Sequence, residues 1–446
     1  MKKLLILCAV AALSFTSCER GEVENLFDAT PEERMQERLT ELQSTLTGAA
    51  NGWKGVLTTS LGGGYAFYFD FRDDNTVAML ADVNSGSAGT IRESTYRTKW
   101  QMNASLIFDT YNYIALLQDP GVKVPGAGGT ASNGLRSDIE FEYIRMSADS
   151  VILKGKRYKN ELVLTPLTAA EKASYVNDFG TLYASHKSFL DDIPNAYIEA
   201  SGITSNKIAF FANTTTKKVQ FQYIDNQGEV KSFEGKFGID LTGITIIGGL
   251  DIGGGITLVK GNFEGSTFTF IDTEGRQYVM KLNNTPIIPL ELLLNYNGTY
   301  KGIGTLSDAL PAIATTSDFT NVWNTVNANL LGTGRNIRYY EFVMSNSSTM
   351  AFNLYYASGA SNYTASVTFN YTYEDGYITL SNISGHTSGN WNTRRAQIAP
   401  LENYLLEIVN NNIRLKVEWV PTADGAQVGG LVLEGAPSRI IYGLVR

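Results

Sequence analysis

The chain reads as a mainly β protein: antiparallel β modules of open-barrel or sandwich type, lipocalin-like in their meander, with a few amphipathic helices. Three observations carry that expectation. Apolar and polar residues alternate with period two over most of the chain beyond residue 50. Turn sequences with glycine at a left-handed position recur between those runs, at Asp225–Gly228, Asp272–Gly275 and Asp375–Gly376. Glycine outnumbers proline 43 to 11, which suits turns rather than a proline-rich disordered chain. At 446 residues with 43% hydrophobic content, the chain exceeds one ordinary core, so two or three domains are expected.

The first element is not β. Lys2 and Lys3 precede an apolar run from Leu4 to Leu13, and Ser14-Phe15-Thr16-Ser17-Cys18 follows. A basic start, a short apolar core and small residues just before a cysteine form the pattern of a lipoprotein signal peptide over residues 1–17, with Cys18 lipidated. Phe15 stands where leucine is commonest. The apolar run is about half the roughly 20 residues that spanning a bilayer takes. Acyl chains contribute roughly 0.8 kcal/mol per buried CH₂, so several of them hold a protein on a membrane permanently. Residues 18–29, with Glu19, Glu22, Glu24 and Asp28, form an acidic tether suited to solvated, extended chain.

An N-terminal helix plus β domain is expected over 30–165. Thr30 is an N-cap, Pro31 occupies the first helical position, and Glu33 sits at capping-box spacing. Met35, Leu39, Leu42 and Leu46 form one stripe, and the helix ends near Gly48. Tyr65, Phe67, Phe69 and Phe71 then share a strand face, and Val77 and Met79 resume after the Arg72–Asn75 turn. Tyr96, Trp100 and Met102 alternate with Arg97, Lys99 and Gln101; Ile139, Phe141 and Tyr143 alternate with acidic residues; Val151, Leu153, Leu162 and Leu164 complete the set.

A middle β segment spans 166–290. It opens on a helix capped by Thr168 and Glu171, with Tyr175, Phe179, Tyr183 and Leu190 apolar, and closes near Pro286 and Pro289. A C-terminal β segment spans 291–446, with a third helix from about Ser317 to Leu331 before more strands. Residues 219–247 and 352–380 share a spacing of strand, turn, aromatic strand, turn and apolar strand, a hint of duplicated β modules.

The run NLFDATPEERMQERL, then GAANGWKGVL and YAFYFDFRDDNTVAML, resembles the start of an uncharacterised Bacteroidetes cell-envelope lipoprotein family, domain of unknown function family 4302. The matching positions are Leu26, Phe27, Asp28, Glu33, Arg34, Asn51, Gly52 and Trp53. The resemblance implies an envelope lipoprotein of the kind that accompanies SusC/SusD-type nutrient uptake, and it supplies no catalytic residue. In Bacteroidetes lipoproteins, acidic residues close behind the lipidated cysteine resemble an export signal for the outer face of the outer membrane. The expected location is therefore outer-membrane lipid-anchored, at the cell surface or otherwise on the periplasmic face.

Cysteine and histidine content removes whole classes of chemistry. Cys8 lies in the signal and Cys18 carries lipid, so the mature chain has no thiol nucleophile and no internal disulfide. Only His186 and His386 are present, with no HExxH and no CxxC, so neither a metal site nor a cofactor is expected. No GxSxG elbow occurs. The glycine clusters at 62–64, 126–129 and 253–255 lack a following Lys-Ser/Thr and read as turns or bulges. A net charge of −8 argues against nucleic acid as a partner. Paired carboxylates for glycoside hydrolysis leave no compact signature, but Asp73, Asp74, Asp225, Asp272 and Asp375 are already explained by turns.

Sugar rings stack on exposed aromatic faces. Trp53, Trp100 and Trp419 sit at alternating apolar positions and Trp323 lies in the third helix, so these read as core. Trp391 lies in a polar loop with His386, Arg394 and Arg395, and these four residues are the expected ligand-facing patch. The functional expectation is a noncatalytic accessory or ligand-binding component of nutrient acquisition, with a glycan or peptide ligand or outer-membrane uptake proteins as partners. The alternatives are a fimbrillin-like structural or adhesive protein, and a glycan-active hydrolase. For the anchor, Cys18→Ala is expected to release the protein from membranes or leave an unprocessed precursor. Equal incorporation of a fatty-acid analogue into parent and variant is the outcome that removes Cys18 from this role.

Overall fold

The computed structural model describes residues 30–121, 124, 134–147, 149–203 and 206–446; the signal peptide, the whole tether and Gly126–Gly129 lie outside them. The period-two alternation resolves into three successive antiparallel meanders. The first runs through β1 (Trp53–Thr58), β2 (Gly64–Phe71), β3 (Thr76–Ala81), β4 (Arg92–Gln101), β5 (Asn103–Phe108), β6 (Glu140–Met146), β7 (Val151–Gly155) and β8 (Glu161–Pro166). Pairing of Trp53 with Pro166 and of Leu57 with Leu162 closes it into a barrel. Tyr65, Phe67 and Phe69 point inward with Leu106 and Phe141, and Phe67 and Phe69 stack at 5.3 Å.

The second meander comprises β9 (Ala196–Glu199), β10 (Lys207–Asn213), β11 (Lys218–Ile224), β12 (Val230–Ile239), β13 (Gly243–Asp251), β14 (Thr257–Glu264), β15 (Thr267–Asp272), β16 (Gln277–Val279) and β17 (Lys281–Leu282). Only Met280 separates β16, which pairs with β15, from β17, which pairs with β9. The two ends of this sheet are thus halves of one interrupted strand, and the meander comes round on itself. The third is again a closed barrel, of β18 (Gly302–Gly304), β19 (Arg335–Met344), β20 (Thr349–Ser358), β21 (Ser361–Glu374), β22 (Tyr377–Ser384), β23 (Arg414–Pro421), β24 (Gln427–Leu433) and β25 (Ile440–Val445). The segments that echo each other in sequence are β11–β13 and β20–β22, the third to fifth strands of their respective meanders.

Helices supply part of each core. Pro31–Gly48 carries the Thr30–Glu33 capping box and brings Leu42 and Leu46 into the first barrel. Its Gln43 side chain donates to the Tyr96 hydroxyl at 2.9 Å and accepts from Thr98 at 3.1 Å. Helices Ala169–Asn177 and Phe179–Asp191 add Tyr175, Phe179, Tyr183 and Leu190 to the second core. Helix Asp318–Leu331 adds Phe319, Trp323 and Val326 to the third. Helix Arg395–Asn410, which contains Pro400, adds Ile398, Leu401 and Leu405 to the same core. One expectation fails. Met102 does not share the buried face of Tyr96 and Trp100: it is the tip of the β4–β5 hairpin, 90% exposed with φ 71°.

The first two barrels are packed together through a buried ion pair. Lys217 Nζ lies 2.7 Å from Asp82 Oδ2, and the two side chains are 2% and 0% exposed. Asp82 also accepts the Ala66 and Ile239 N–H groups, at 2.8 and 2.6 Å. The ammonium sits 5.3–5.9 Å from the rings of Tyr183, Phe237 and Tyr65, within cation–π range. Burial pushes the Asp82 carboxyl up and the Lys217 ammonium down, while their attraction opposes both shifts. Gly63 shows why the 62–64 cluster is glycine: a Cβ there would lie 2.2 Å from the Lys217 carbonyl oxygen. Nearby, Lys236 donates to the Thr59 carbonyl at 2.6 Å and Lys54 pairs with Asp240 at 3.5 Å.

Between the second and third barrels, the segment around Pro286 and Pro289 is fixed by Trp419, whose Nε1 donates to the Ile288 carbonyl at 2.9 Å. Ala209, Ile288 and Leu293 form a small core there, with Tyr300 and Trp419 against it.

Two outcomes follow from the buried groups. Asp82→Asn strands the Lys217 charge and is expected to cost about 3–5 kcal/mol in denaturant unfolding, whereas Asp82→Leu combined with Lys217→Met recovers most of that loss. His186 is 6% exposed, stacks on Phe263 at 4.5 Å, and leaves Nδ1 without a partner. Burial lowers its pKa, with the Asp240 carbonyl opposing. A histidine depressed in the folded state contributes stability above its unfolded pKa of about 6.5 and loses it as pH falls below that value. Relative to His186→Phe, the parent should therefore weaken below about pH 6.5; parallel stability curves would show that His186 does not titrate in this way.

Candidate functional site

The patch expected at residues 386–395 does not form an exposed aromatic plate. Trp391 is 0% exposed in the third barrel: its ring packs edge-on to Phe352 and its Nε1 donates to Glu402 Oε2 at 2.8 Å. A short helix, Gly389–Thr393, turns the ring inward, which polar flanking residues alone do not reveal. Arg395 is occupied by Glu402, its Nε donating at 2.8 Å. The Arg394 Nε and His386 Nδ1 atoms are buried without partners. Trp391, Glu402 and Arg395 form a structural network that ties the helix Arg395–Asn410 to the barrel.

A different cleft, of about 570 Å³, opens at the rim of the same barrel. Four of its lining residues are tyrosines, and they form two cross-strand stacks. Tyr339 of β19 lies opposite Tyr355 of β20, with ring centroids 4.2 Å apart and planes within 21°. Tyr356 of β20 lies opposite Tyr363 of β21, at 5.5 Å and 19°. Because strand side chains alternate, neighbouring Tyr355 and Tyr356 point to opposite faces, so the two stacks flank the rim. Tyr363 is 40% exposed and Leu306, on the adjoining loop, 72%.

Local sequence explains this geometry. Ile337, Tyr340, Phe342 and Met344 all face the core, and a strict alternation cannot accommodate the three-residue step from 337 to 340. The chain inserts a bulge instead: Ile337 pairs with Tyr356 and Tyr339 with Tyr355, leaving Arg338 as the extra residue. Arg338 is exposed at the cleft, and its guanidinium makes no ion pair or hydrogen bond among the described residues. Tyr355 donates to Glu341 Oε2 at 3.1 Å; burial, and then the Glu341 charge, push its pKa up to about 12. Arg446 lies over the Tyr339 ring at 6.0 Å.

The opposite wall is held by the helix Asp318–Leu331. Trp323 Nε1 donates to the Asp308 carbonyl at 2.6 Å, and Thr305 Oγ1 donates to the Ser307 carbonyl at 2.7 Å. Aromatic faces, phenol groups and a guanidinium around an open cleft can stack on a ring-shaped ligand and hydrogen-bond its hydroxyls. Asp308 is the one carboxylate among the lining residues, whereas glycoside hydrolysis takes two. No group of three or more His, Cys, Asp or Glu side chains is placed to hold a metal among the described residues. With 24 tyrosines in the chain, most of them at alternating strand positions, composition alone does not single these four out. The doublets Tyr339-Tyr340 and Tyr355-Tyr356 were the available signal.

Known proteins give little beyond kinship. No curated protein matches the chain. Among solved structures, a protein of unknown function from the DUF3598 family of Nostoc punctiforme PCC 73102 aligns over 73% of this chain and 96% of its own, at 10% identity and a TM-score of 0.15. That score carries no statement about the fold. A family model described as a domain of unknown function, DUF4302, matches residues 23–260, from the tether through the first barrel and into β14 of the second. With more than half of its length matched, this chain belongs to the DUF4302 family.

Proposed function

We propose that this protein is a lipid-anchored lipoprotein of the Bacteroidetes outer membrane, displayed at the cell surface, that binds a glycan at the tyrosine cleft as a noncatalytic accessory of nutrient acquisition. The anchor reading rests on the signal-like start and Cys18. The binding reading rests on one observation above all: two stacked tyrosine pairs flank an open cleft beside an unpaired guanidinium. Exposed Tyr363 and half-buried Tyr339 and Tyr355 offer aromatic edges and hydroxyls together, a combination that suits sugar rings, while Tyr356 backs them from the core. The single lining carboxylate favours binding over bond cleavage.

The test is a glycan-array screen of the mature protein, repeated with Tyr339→Ala and Tyr363→Ala, with product analysis of every bound glycan by mass spectrometry. Each truncation should weaken binding by about tenfold, the equivalent of about 1.4 kcal/mol. The unfolding midpoint should fall less for Tyr363→Ala than for loss of a core aromatic, because Tyr363 is 40% exposed. Undiminished binding in both variants places the ligand elsewhere, and turnover of a bound glycan replaces the accessory reading with an enzymatic one.

A further inference from the structure

We infer that the helix-covered mouth of the first barrel rests on the lipid bilayer, with Met102 inserted as an apolar wedge; this rests on the lipid-anchor reading above. Met102 incurs two costs with no return inside the molecule. Its φ of 71° is a backbone conformation that favours glycine or asparagine, and its side chain is 90% exposed. Asparagine is the very next residue, yet methionine occupies the strained tip. An outlier of this kind is a reason to look for a partner outside the fold.

Two more exposed apolar residues stand beside it. β5 pairs with β6 from Ile107–Glu140 to Ser105–Glu142, two residues short of Asn103 on one strand and of Ile144 on the other. Ile144 is the extra residue of a bulge between Tyr143 and Arg145, and it is 42% exposed; Met146 beyond it is 52% exposed. The N-terminal helix passes along the same strand end. Arg38 donates to the Ile144 carbonyl at 3.5 Å, Tyr143 donates to Glu41 at 2.7 Å, and Thr45 lies 3.8 Å from the Met146 sulfur.

That helix identifies the occupant. It begins at Pro31, and the stretch Glu19–Thr30 between it and Cys18 reaches no more than about 40 Å when fully extended. The mouth presenting Met102, Ile144 and Met146 is therefore kept within a short tether of the acyl chains. Lys156 donates to the Gln101 carbonyl at 2.8 Å beside the tip, and exposed Lys99 and Arg145 and half-buried Glu142 lie on β4 and β6; the residues that insert are themselves uncharged, so the contact does not need anionic lipid. Burying a methionine side chain is worth roughly 1.5–3 kcal/mol, which orients an anchored protein even where it could not recruit a free one.

The chain offers a direct test. Once the signal is gone Cys18 is its sole cysteine, so the mature protein can be coupled through that thiol to phosphatidylcholine vesicles carrying a maleimide lipid. The tether is then present whether or not the cell lipidates Cys18, and failure of the anchor reading is separated from failure of this one. A photo-crosslinking residue replaces Met102, Ile144 or, at the far barrel, Leu306. Lipid adducts are expected at 102 and 144, unchanged in high salt, and not at 306. Met102→Gly, which relieves the left-handed strain, should hold or raise the unfolding midpoint while lowering the adduct yield at 144 by about tenfold. Absence of adducts at 102, equal yields at 306, or an unchanged yield at 144 in Met102→Gly overturns the proposal.

Discussion

The arrangement of the first two barrels depends on one buried charge pair. Lys217 and Asp82 come from different meanders and meet with almost no solvent access. Desolvating two charges is expensive, and it is tolerable only where hydrogen bonds complete the shell. Here two backbone amides complete the carboxylate and three aromatic rings surround the ammonium. An apolar contact at the same place would slide; a charge pair within a ring cage has one favourable geometry. The pair therefore fixes how one barrel sits on the next, and the glycine beside Lys217 lets the backbones approach closely enough for it to form.

The same economy governs the third barrel. Its helices bring Trp323 and Trp391 into the interior, and each indole N–H is used to hold something at the rim: Trp323 the Asp308 loop, Trp391 the Glu402–Arg395 pair. The tyrosine cleft is therefore built on strands and on a loop that the core itself secures. Such a site keeps its shape before any ligand arrives, which reduces the ordering cost of binding.

Much of this architecture was legible in the sequence, because period two and period 3.6 are consequences of burial. Capping boxes at Thr30 and Thr168 and the apolar faces of β2 and β6 follow from local chemistry alone. Closure was not legible, since pairing of β1 with β8 or of β17 with β9 is a long-range event with no local signature. Nor was the burial of Trp391: its neighbours are polar because the short helix around it is exposed on every other side. Met102 misled for a related reason. Alternation continues smoothly through it, and nothing in the pattern marks the residue where a strand turns back.

The interrupted strand of the middle barrel has a consequence for its dynamics. A continuous strand is zipped to its neighbours along its whole length, but β16 and β17 share that task in pieces of three and two residues. β17 and β9 are joined by two residue pairs, the fewest between any two strands of that sheet, and β16 and β15 by three. Local opening free energy is lowest where ordered contacts are few, so this seam is where the middle barrel first parts. Once parted, it exposes the edges of β15 and β9, unpaired rows able to accept another strand. The first barrel, closed by five residue pairs between β1 and β8, presents no such row, whereas the third is joined through β18 to β25 by two pairs.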